Sequence, residues 1–292
     1  MTRPLTIIVV SYNTRERTER CLTHLFDYTD APFHLVVVDN ASSDGTPEML
    51  ADFARRLPHD VTVVQNSQNL GYAPAVGQAC SRKWTEGDVC LVNSDLYVGP
   101  EWAGRLQRHL YRDGRIAAVA PLGRGIGGRQ DFSLYFQEWC QKASIRDCLV
   151  DVNHRLTGAR PCATTAKCLQ GTIWMIKGQA LRQLGGLDPG CLAGADDADW
   201  CLRARIGGWK LVIAMDVFVW HDDHSSFAEL PGQGALWINQ SWDYFNHKWH
   251  GQFDRLSWAD LMENTEVTQY PPFVYEEFPQ KFIGEPGAPT DD

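Results

Sequence analysis

The residues whose types and spacing suit chemistry fall in three places. Cys90-Leu91-Val92-Asn93-Ser94-Asp95 is an apolar run that stops at small polar groups and one carboxylate. A lone carboxylate suits Mg²⁺ or Mn²⁺, which takes one or two carboxylates plus substrate phosphates, better than a calcium-like ion that wants many oxygens. Asn93, Ser94 and Asp95 are also ordinary turn formers, so by themselves they are equally a chain reversal. Farther on, Ala195-Asp196-Asp197-Ala198-Asp199 opens an amphipathic segment. One aspartate would serve as the cap and complement the helix dipole; three in four positions exceed that need and point to a general base. Neighbouring like charges raise a carboxylate's pKa and a helix N-terminus lowers it, and the sequence leaves that balance open. The third place is His221-Asp222-Asp223-His224, after a β-branched and aromatic run. His221 there is either a packed imidazole or a ligand for a transition metal, and His224 is the weaker candidate.

The elements that must position these groups follow a repeating pattern. Leu5 to Val10 reads as a strand ending at Ser11-Tyr12-Asn13, and Cys21, Leu22, Leu25 and Phe26 then mark a helix. His34 to Val38 is a second strand closing on Asp39-Asn40-Ala41-Ser42-Ser43-Asp44-Gly45, followed by a helix with Pro47 in its first turn. Val61 to Gln65 is a third, ending in Asn66 to Gly71; Ala73 to Trp84 is helical, and Asp88 to Val92 leads to Asp95. Strands separated by helices of this length imply parallel pairing, which brings the polar loops to one edge of the sheet. Asp39, Asn69, Gly71 and Asp95 should therefore converge. Beyond them come a helix from Pro100 to Arg112, a strand from Ile116 to Ala120, and an irregular stretch from Leu122 to Lys167. Gly123 to Gly128 matches G-x-G-x-x-G, but it lacks the compact βαβ unit of a dinucleotide loop and reads as a flexible surface loop. The pattern resumes with an apolar run around Gly171 and Trp174, a short helix ending at Gly185-Gly186, the acidic segment, and strands at Lys210 to Ala214 and Val217 to Trp220. Trp237, Trp242, Tyr244, Phe245, Trp249, Phe253 and Trp258 then recur, either packing an added helix or forming an acceptor platform. From Tyr270 the chain is rich in proline and acid, as in an extended tail.

The chain has 292 residues, of which 44% are apolar, enough for a sizeable core. A net charge of −9 argues against a nucleic-acid partner, since phosphate contacts need a basic face. Nine cysteines without a C-x-x-C pair read as buried thiols in preference to disulfides or a zinc cage. The first apolar run is too short for a signal peptide, and no stretch is long enough to span a bilayer. The expectation is a cytoplasmic protein with no transmembrane segment, compatible with peripheral membrane contact, its oligomeric state left open. The segmentation places a main domain at 1–228, its first half near 1–121 and its second near 168–228, which the family resemblance given below would make the nucleotide-binding and acceptor halves of a catalytic domain. An aromatic extension and tail follow at 229–292.

Taken in order, Thr6 to Asn13, Val38-Asp39-Asn40-Ala41-Ser42-Ser43-Asp44-Gly45-Thr46, Asn69-Leu70-Gly71-Tyr72, Asn93-Ser94-Asp95, Gly185-Gly186-Leu187-Asp188 and Asp196 to Arg203 resemble glycosyltransferase family 2, inverting enzymes of GT-A fold, and its rhamnosyltransferase-like members. The resemblance covers about residues 5 to 250. It implies an α/β fold with one open, twisted, mostly parallel sheet flanked by helices, and an aromatic-rich helical extension. It further implies that Asp39 accepts a hydrogen bond from the imide N–H of a nucleotide base, a donor that uracil, thymine and guanine present and neutral cytosine does not. By the same resemblance Ser11 and Tyr12 line the base pocket, Asn69 and Gly71 surround the nucleoside, and Asn93-Ser94-Asp95 stands in place of the D-x-D signature. Asp95 then meets a diphosphate-bound divalent cation, Mn²⁺ or Mg²⁺, with His221 as a second metal contact. Asp197 matches the general base and Asp196 stands where glutamate is usual. Gly171, Trp174 and Trp249 fall on the acceptor side, with His250 where a Lys-Trp-Gly ending has glycine.

The implied reaction is a single displacement: a sugar leaves a nucleoside diphosphate (UDP or dTDP favoured, GDP also compatible) for an acceptor hydroxyl on a glycan, a lipid-linked glycan or a small metabolite. Two rivals stand beside it. A nucleotidyltransferase should carry a glycine-rich, lysine-containing loop near the first strand, and Ser11 to Arg20 contains no glycine. A catalytically inactive sugar-binding assembly protein would not need Asp95, Asp197 and His221.

Overall fold

The computed structural model describes residues 4–57, 61–80, 87–136, 144–157, 163–222 and 232–249. The expectations for Cys140, Cys162, His224, His250, Phe253, Trp258 and the proline-rich tail lie outside these residues.

β1 (Leu5–Ser11), β2 (Phe33–Asp39), β3 (Val61–Gln65) and β4 (Asp88–Asn93) pair in parallel in the order β3-β2-β1-β4, joined by α1 (Arg15–Tyr28), α2 (Thr46–Arg56) and α3 (Tyr72–Cys80). The centres of β1, β2 and β4 are buried on both faces, as their unbroken apolar runs require, and β3 at the edge is partly exposed. Register then does the positioning. Ser11 is level with Asp39, and Val10 with Asn93, so three polar loops leave the sheet at one height. That is the convergence the strand–helix alternation implies.

The sheet continues without a break: β8 (Ile173–Ile176) lies antiparallel to β4 and to β6 (Ile116–Arg124), and β9 (Lys210–His221) runs parallel to β6. β9 also pairs antiparallel with β7 (Ala163–Ala166) in its first half and with β5 (Leu96–Val98) at its end. The two strand segments expected at 210–214 and 217–220 are this one strand. A register shift between Pro121 and Leu122 of β6 bends the pair and carries the end of β9 across to β5, where His221 faces Leu96. His221 and Asp95 thereby become neighbours.

Around the second half stand α4 (Trp102–Leu110), the short α5 (Ser133–Phe136), α6 (Ile145–Thr157), α7 (Gly178–Leu184), α8 (Asp196–Ile206) and α9 (Gln233–Trp249). α6 occupies part of the stretch expected to be irregular. Its Cys148, Leu149, Val152 and Leu156 are buried at helical spacing, and Asn153, also buried, uses its amide to hold the backbone of Phe218 in β9. Among the described cysteines, six are free thiols as expected, and Cys148 departs from the expectation by being disulfide-bonded. No helix among the described residues is long and apolar enough to cross a membrane.

Candidate active site

A cleft of about 260 Å³ opens at the carboxyl ends of the parallel strands. Val10, Tyr12, Asn40, Asn69, Gly71, Asn93 and Ser94 contribute from the N-terminal half, and Gln170, Gly171, Thr172, Gly194, Asp196, Asp197 and Trp237 from the C-terminal half. Residues 227 positions apart in the chain thus share one hollow, from Val10 to Trp237.

Next to Asn40 in the chain, Asp39 is buried behind the lining residues, with Oδ1 accepting from the Ser42 N–H at 3.3 Å and Oδ2 buried with no protein partner. Burial raises its pKa, so the site is built to hand this oxygen a donor. Asn40, a residue the sequence motifs contain but to which no role was given, is the hub of the surrounding loops. Its Nδ2 donates to Asn69 Oδ1 at 2.7 Å and Gly71 O at 3.2 Å, and its Oδ1 accepts from Asn66 and Leu70. Gly71 adopts φ +89°, and a Cβ there would lie 2.7 Å from Leu192 O, the same carbonyl that accepts the Tyr72 N–H at 2.7 Å. This contact ties the N-terminal half to the acid-bearing loop.

Ser11 is a correction. Its hydroxyl is fully buried and bonds Thr18 Oγ1 at 2.8 Å and Thr14 Oγ1 at 3.3 Å, in a hydroxyl cluster that reaches Ser94 beneath the cleft floor. It supports the strand ends and does not line the pocket; Tyr12 does.

Asp95 directly follows Ser94 of the cleft lining, is buried, and places Oδ1 3.2 Å from His221 Nε2. The other imidazole nitrogen, Nδ1, donates to Gly125 O at 2.8 Å, which turns Nε2 toward the Asp95 carboxylate. A carboxylate and an imidazole nitrogen at this separation are residue types that could hold a divalent metal together. Gly125, at φ +73°, is held against His221 so closely that a Cβ would meet its carbonyl oxygen at 2.5 Å. The glycine-rich stretch expected to be a loose surface loop therefore orients the histidine.

In the C-terminal half, Gly194 and Ala195 are successive left-handed residues, φ +79° and +62°, that swing the chain into α8. Asp197 Oδ2 accepts the Gly171 N–H at 3.0 Å and its Oδ1 the Ala198 N–H at 2.7 Å. Burial raises the pKa of both Asp196 and Asp197, and the charge on Asp197 adds to the effect at Asp196. The Gly171 and Ala198 N–H groups oppose the rise at Asp197, so the charge the pair retains is best held there. Asp199 has another task. It is fully buried and takes Arg203 Nε at 2.8 Å, Lys248 Nζ at 2.6 Å and the Trp249 indole N–H at 3.0 Å. Lys248 also donates to Asp188 Oδ2 at 2.6 Å, so α9 brackets the acid-bearing loop at both ends.

Two acceptor-side expectations are thereby corrected. Trp249 is spent on Asp199 and on Phe245, and Trp174 is fully buried, edge-on to Trp200 with centroids 5.1 Å apart. Neither stands in the cleft wall, whereas Gly171 and Trp237 do.

The sequence model for Glycosyl transferase family 2 matches residues 6–184, which include the N-terminal lining residues of the cleft and Asp95. The chain belongs to glycosyltransferase family 2. It is 26% identical over 253 residues to the N-acetylglucosaminyl-diphospho-decaprenol L-rhamnosyltransferase of Mycobacterium tuberculosis, covering 79% of this chain and 80% of that one. It is 22% identical to the glycosyltransferase AglE of Haloferax volcanii, over 80% of this chain and 74% of the relative. Among solved structures, the mannosyltransferase PcManGT from Pyrobaculum calidifontis, in complex with GDP-Man and Mn²⁺, superposes with a TM-score of 0.55 at 23% identity, over 76% of this chain and 57% of that one. GalNAc-T7 with UDP, GalNAc and Mn²⁺ gives 0.59 at 16% identity, over 75% of this chain and 44% of that one. The family 2 chain thus spans little more than half of the first structure and less than half of the second, and what it shares with them is the GT-A fold.

Proposed function

We propose that this family 2 glycosyltransferase is a metal-dependent inverting enzyme. It moves a sugar from a UDP-, dTDP- or GDP-sugar to an acceptor hydroxyl in glycan or glycoconjugate biosynthesis. The observation that carries the reading is the meeting of Asp197 with the Asn93-Ser94 strand end in one cleft.

Asp39 offers its unpartnered Oδ2 to a base carrying an imide N–H, and Tyr12, Asn69 and Gly71 enclose the nucleoside. Asp95 and His221 would hold a divalent cation, Mn²⁺ as in the two structural neighbours or Mg²⁺, which when bound neutralises charge developing on the departing diphosphate. Asp197 takes the proton from the acceptor hydroxyl as that oxygen attacks the anomeric carbon from the face opposite the leaving group; the C–O bond to the diphosphate breaks as the new glycosidic bond forms. One displacement inverts the centre. Asp196, kept mainly protonated by burial beside Asp197, leaves a single charge on the pair. The name of the Mycobacterium tuberculosis relative makes an L-rhamnosyl donor, with a polyprenyl diphosphate-linked N-acetylglucosamine acceptor, the first pair to try.

The test is product stereochemistry. Proton NMR of the product should show the anomeric configuration opposite to that of the donor, with activity lost in EDTA and restored by Mn²⁺ or Mg²⁺. Retained configuration, or full activity without metal, would overturn the mechanism.

A further inference from the structure

Most aromatics of α9 serve the fold. Trp242, Phe245 and Trp249 pack against Cys191, Ala198 and Leu202, with ring centroids 5.5 Å apart for Trp242–Phe245 and 6.5 Å for Phe245–Trp249. Trp237 does not join them. It is half-buried and stands in the cleft wall beside Ala193, Gly194, Asp196 and Asp197.

Its position is fixed through the backbone. Ser241, fully buried, donates its hydroxyl to Trp237 O at 2.7 Å and accepts the Ala193 N–H at 3.1 Å. One hydroxyl thus joins the helical turn that carries Trp237 to the loop that leads into Asp196 and Asp197. The same cleft holds a second unused group: Thr172 Oγ1, buried and without a protein partner, beside the Gly171 that bonds Asp197. A half-buried indole in a cleft wall and a buried hydroxyl lacking a protein partner are both groups that a ligand could satisfy. Together they match one kind of ligand. A pyranose has an apolar C–H face that packs on the electron-rich face of an aromatic ring, and a rim of hydroxyls that seek partners such as Thr172.

We propose that Trp237 is the platform on which the pyranose ring of a sugar acceptor stacks, with Thr172 Oγ1 bonding one of its hydroxyls. The acceptor is thereby assigned to the carbohydrates, free or as the terminal sugar of a larger glycan. The assignment to the acceptor in preference to the donor rests on the general-base reading of Asp197: Trp237 shares a wall with the acid that must reach the acceptor's O–H, and the nucleotide groups form the other wall.

The experiment uses the full chain labelled with 5-fluorotryptophan, its Trp237 ¹⁹F signal assigned by the Trp237→Phe variant. With Mn²⁺ and UDP or dTDP present, methyl β-D-glucopyranoside and methyl N-acetyl-β-D-glucosaminide are titrated against sorbitol, an acyclic polyol. The expected result is saturable movement of the Trp237 signal by at least one pyranoside and none by sorbitol. Trp237→Ala should weaken pyranoside binding by at least about threefold and change nucleotide binding by less than about twofold. Binding of nucleotide with no response of the Trp237 signal to either pyranoside overturns the acceptor platform and leaves the glycosyltransferase reading standing, as does unchanged pyranoside affinity in the alanine variant. Failure of UDP, dTDP and GDP all to bind overturns that reading, and the platform with it.

Discussion

Asp196, Asp197 and Asp199 fall within four positions of one helix start and lie in three different environments. Asp199 is neutralised by Arg203, Lys248 and Trp249; Asp197 is held by two backbone N–H groups at the cleft; Asp196 is buried beside it with a raised pKa. Replacing Asp197 by Asn should lower kcat by about 10²–10⁴-fold, the usual worth of a positioned base, with nucleotide affinity nearly unchanged. The pH dependence follows from the raised pKa of the pair. The base works deprotonated, so the rate falls as pH drops through the folded-state value, and that acid limb lies above the ordinary aspartate range. Asp196 is mainly protonated while Asp197 titrates and burial is what raises Asp197, so Asp196→Asn should leave the acid limb in place while activity persists; a limb that moves to lower pH would show that a charge on Asp196 helps to set it. At this scale the gathering of Tyr12, Asn69, Gly71, Asp196 and Asp197 about one cleft was legible because each follows a strand end or opens a helix. The placements of Ser11 and Trp174 were not. Both sit in strands buried on two faces, where alternation no longer tells which side chain looks toward the cleft.

α9 is a strut as well as a wall. Lys248 spans Asp188 and Asp199 and thereby fixes both ends of the loop that aims Asp196 and Asp197. Lys248→Met should leave Asp199 buried with one fewer partner and cost about 2–3 kcal/mol in urea unfolding. A loss indistinguishable from zero would mean that Arg203 and Trp249 suffice. Gly71→Ala forces a side chain into a left-handed residue and against Leu192 O, and should destabilise by about 1–3 kcal/mol, read as a lowered urea midpoint, while weakening nucleotide binding. Two elements escaped the sequence reading for different reasons. The helical stripe of α6 was present in Cys148, Leu149, Val152 and Leu156 but lay within a long stretch of mixed character. The role of Gly125 could not be read from its surroundings in the chain, because its partner, His221, is 96 residues away.

Across the whole molecule, one continuous sheet brings the loops of both halves to a common edge, and that edge was legible because parallel pairing of β1 to β4 admits no other placement. What the sequence could not supply is the bend of β6 and β9 that delivers His221 to Asp95, since it depends on a register shift between two distant strands. Joint binding of nucleotide and cation to the folded state alone should raise stability by about 2.7 kcal/mol at a hundredfold excess over Kd, seen as a higher Tm with both ligands than with either. CDP, lacking the imide N–H, should give the smallest rise, and a CDP effect equal to that of UDP would remove Asp39 from base recognition.

The central claim is that Asp95 and Asp197 serve different partners in one cleft, the first a metal-bound diphosphate and the second the attacking hydroxyl. Isothermal titration of UDP, dTDP or GDP with Mn²⁺ into the wild type, Asp95→Asn and Asp197→Asn proteins tests it most directly. The account predicts that Asp95→Asn abolishes the Mn²⁺-dependent part of binding while Asp197→Asn retains it; equal losses in the two variants, or none in Asp95→Asn, would contradict it.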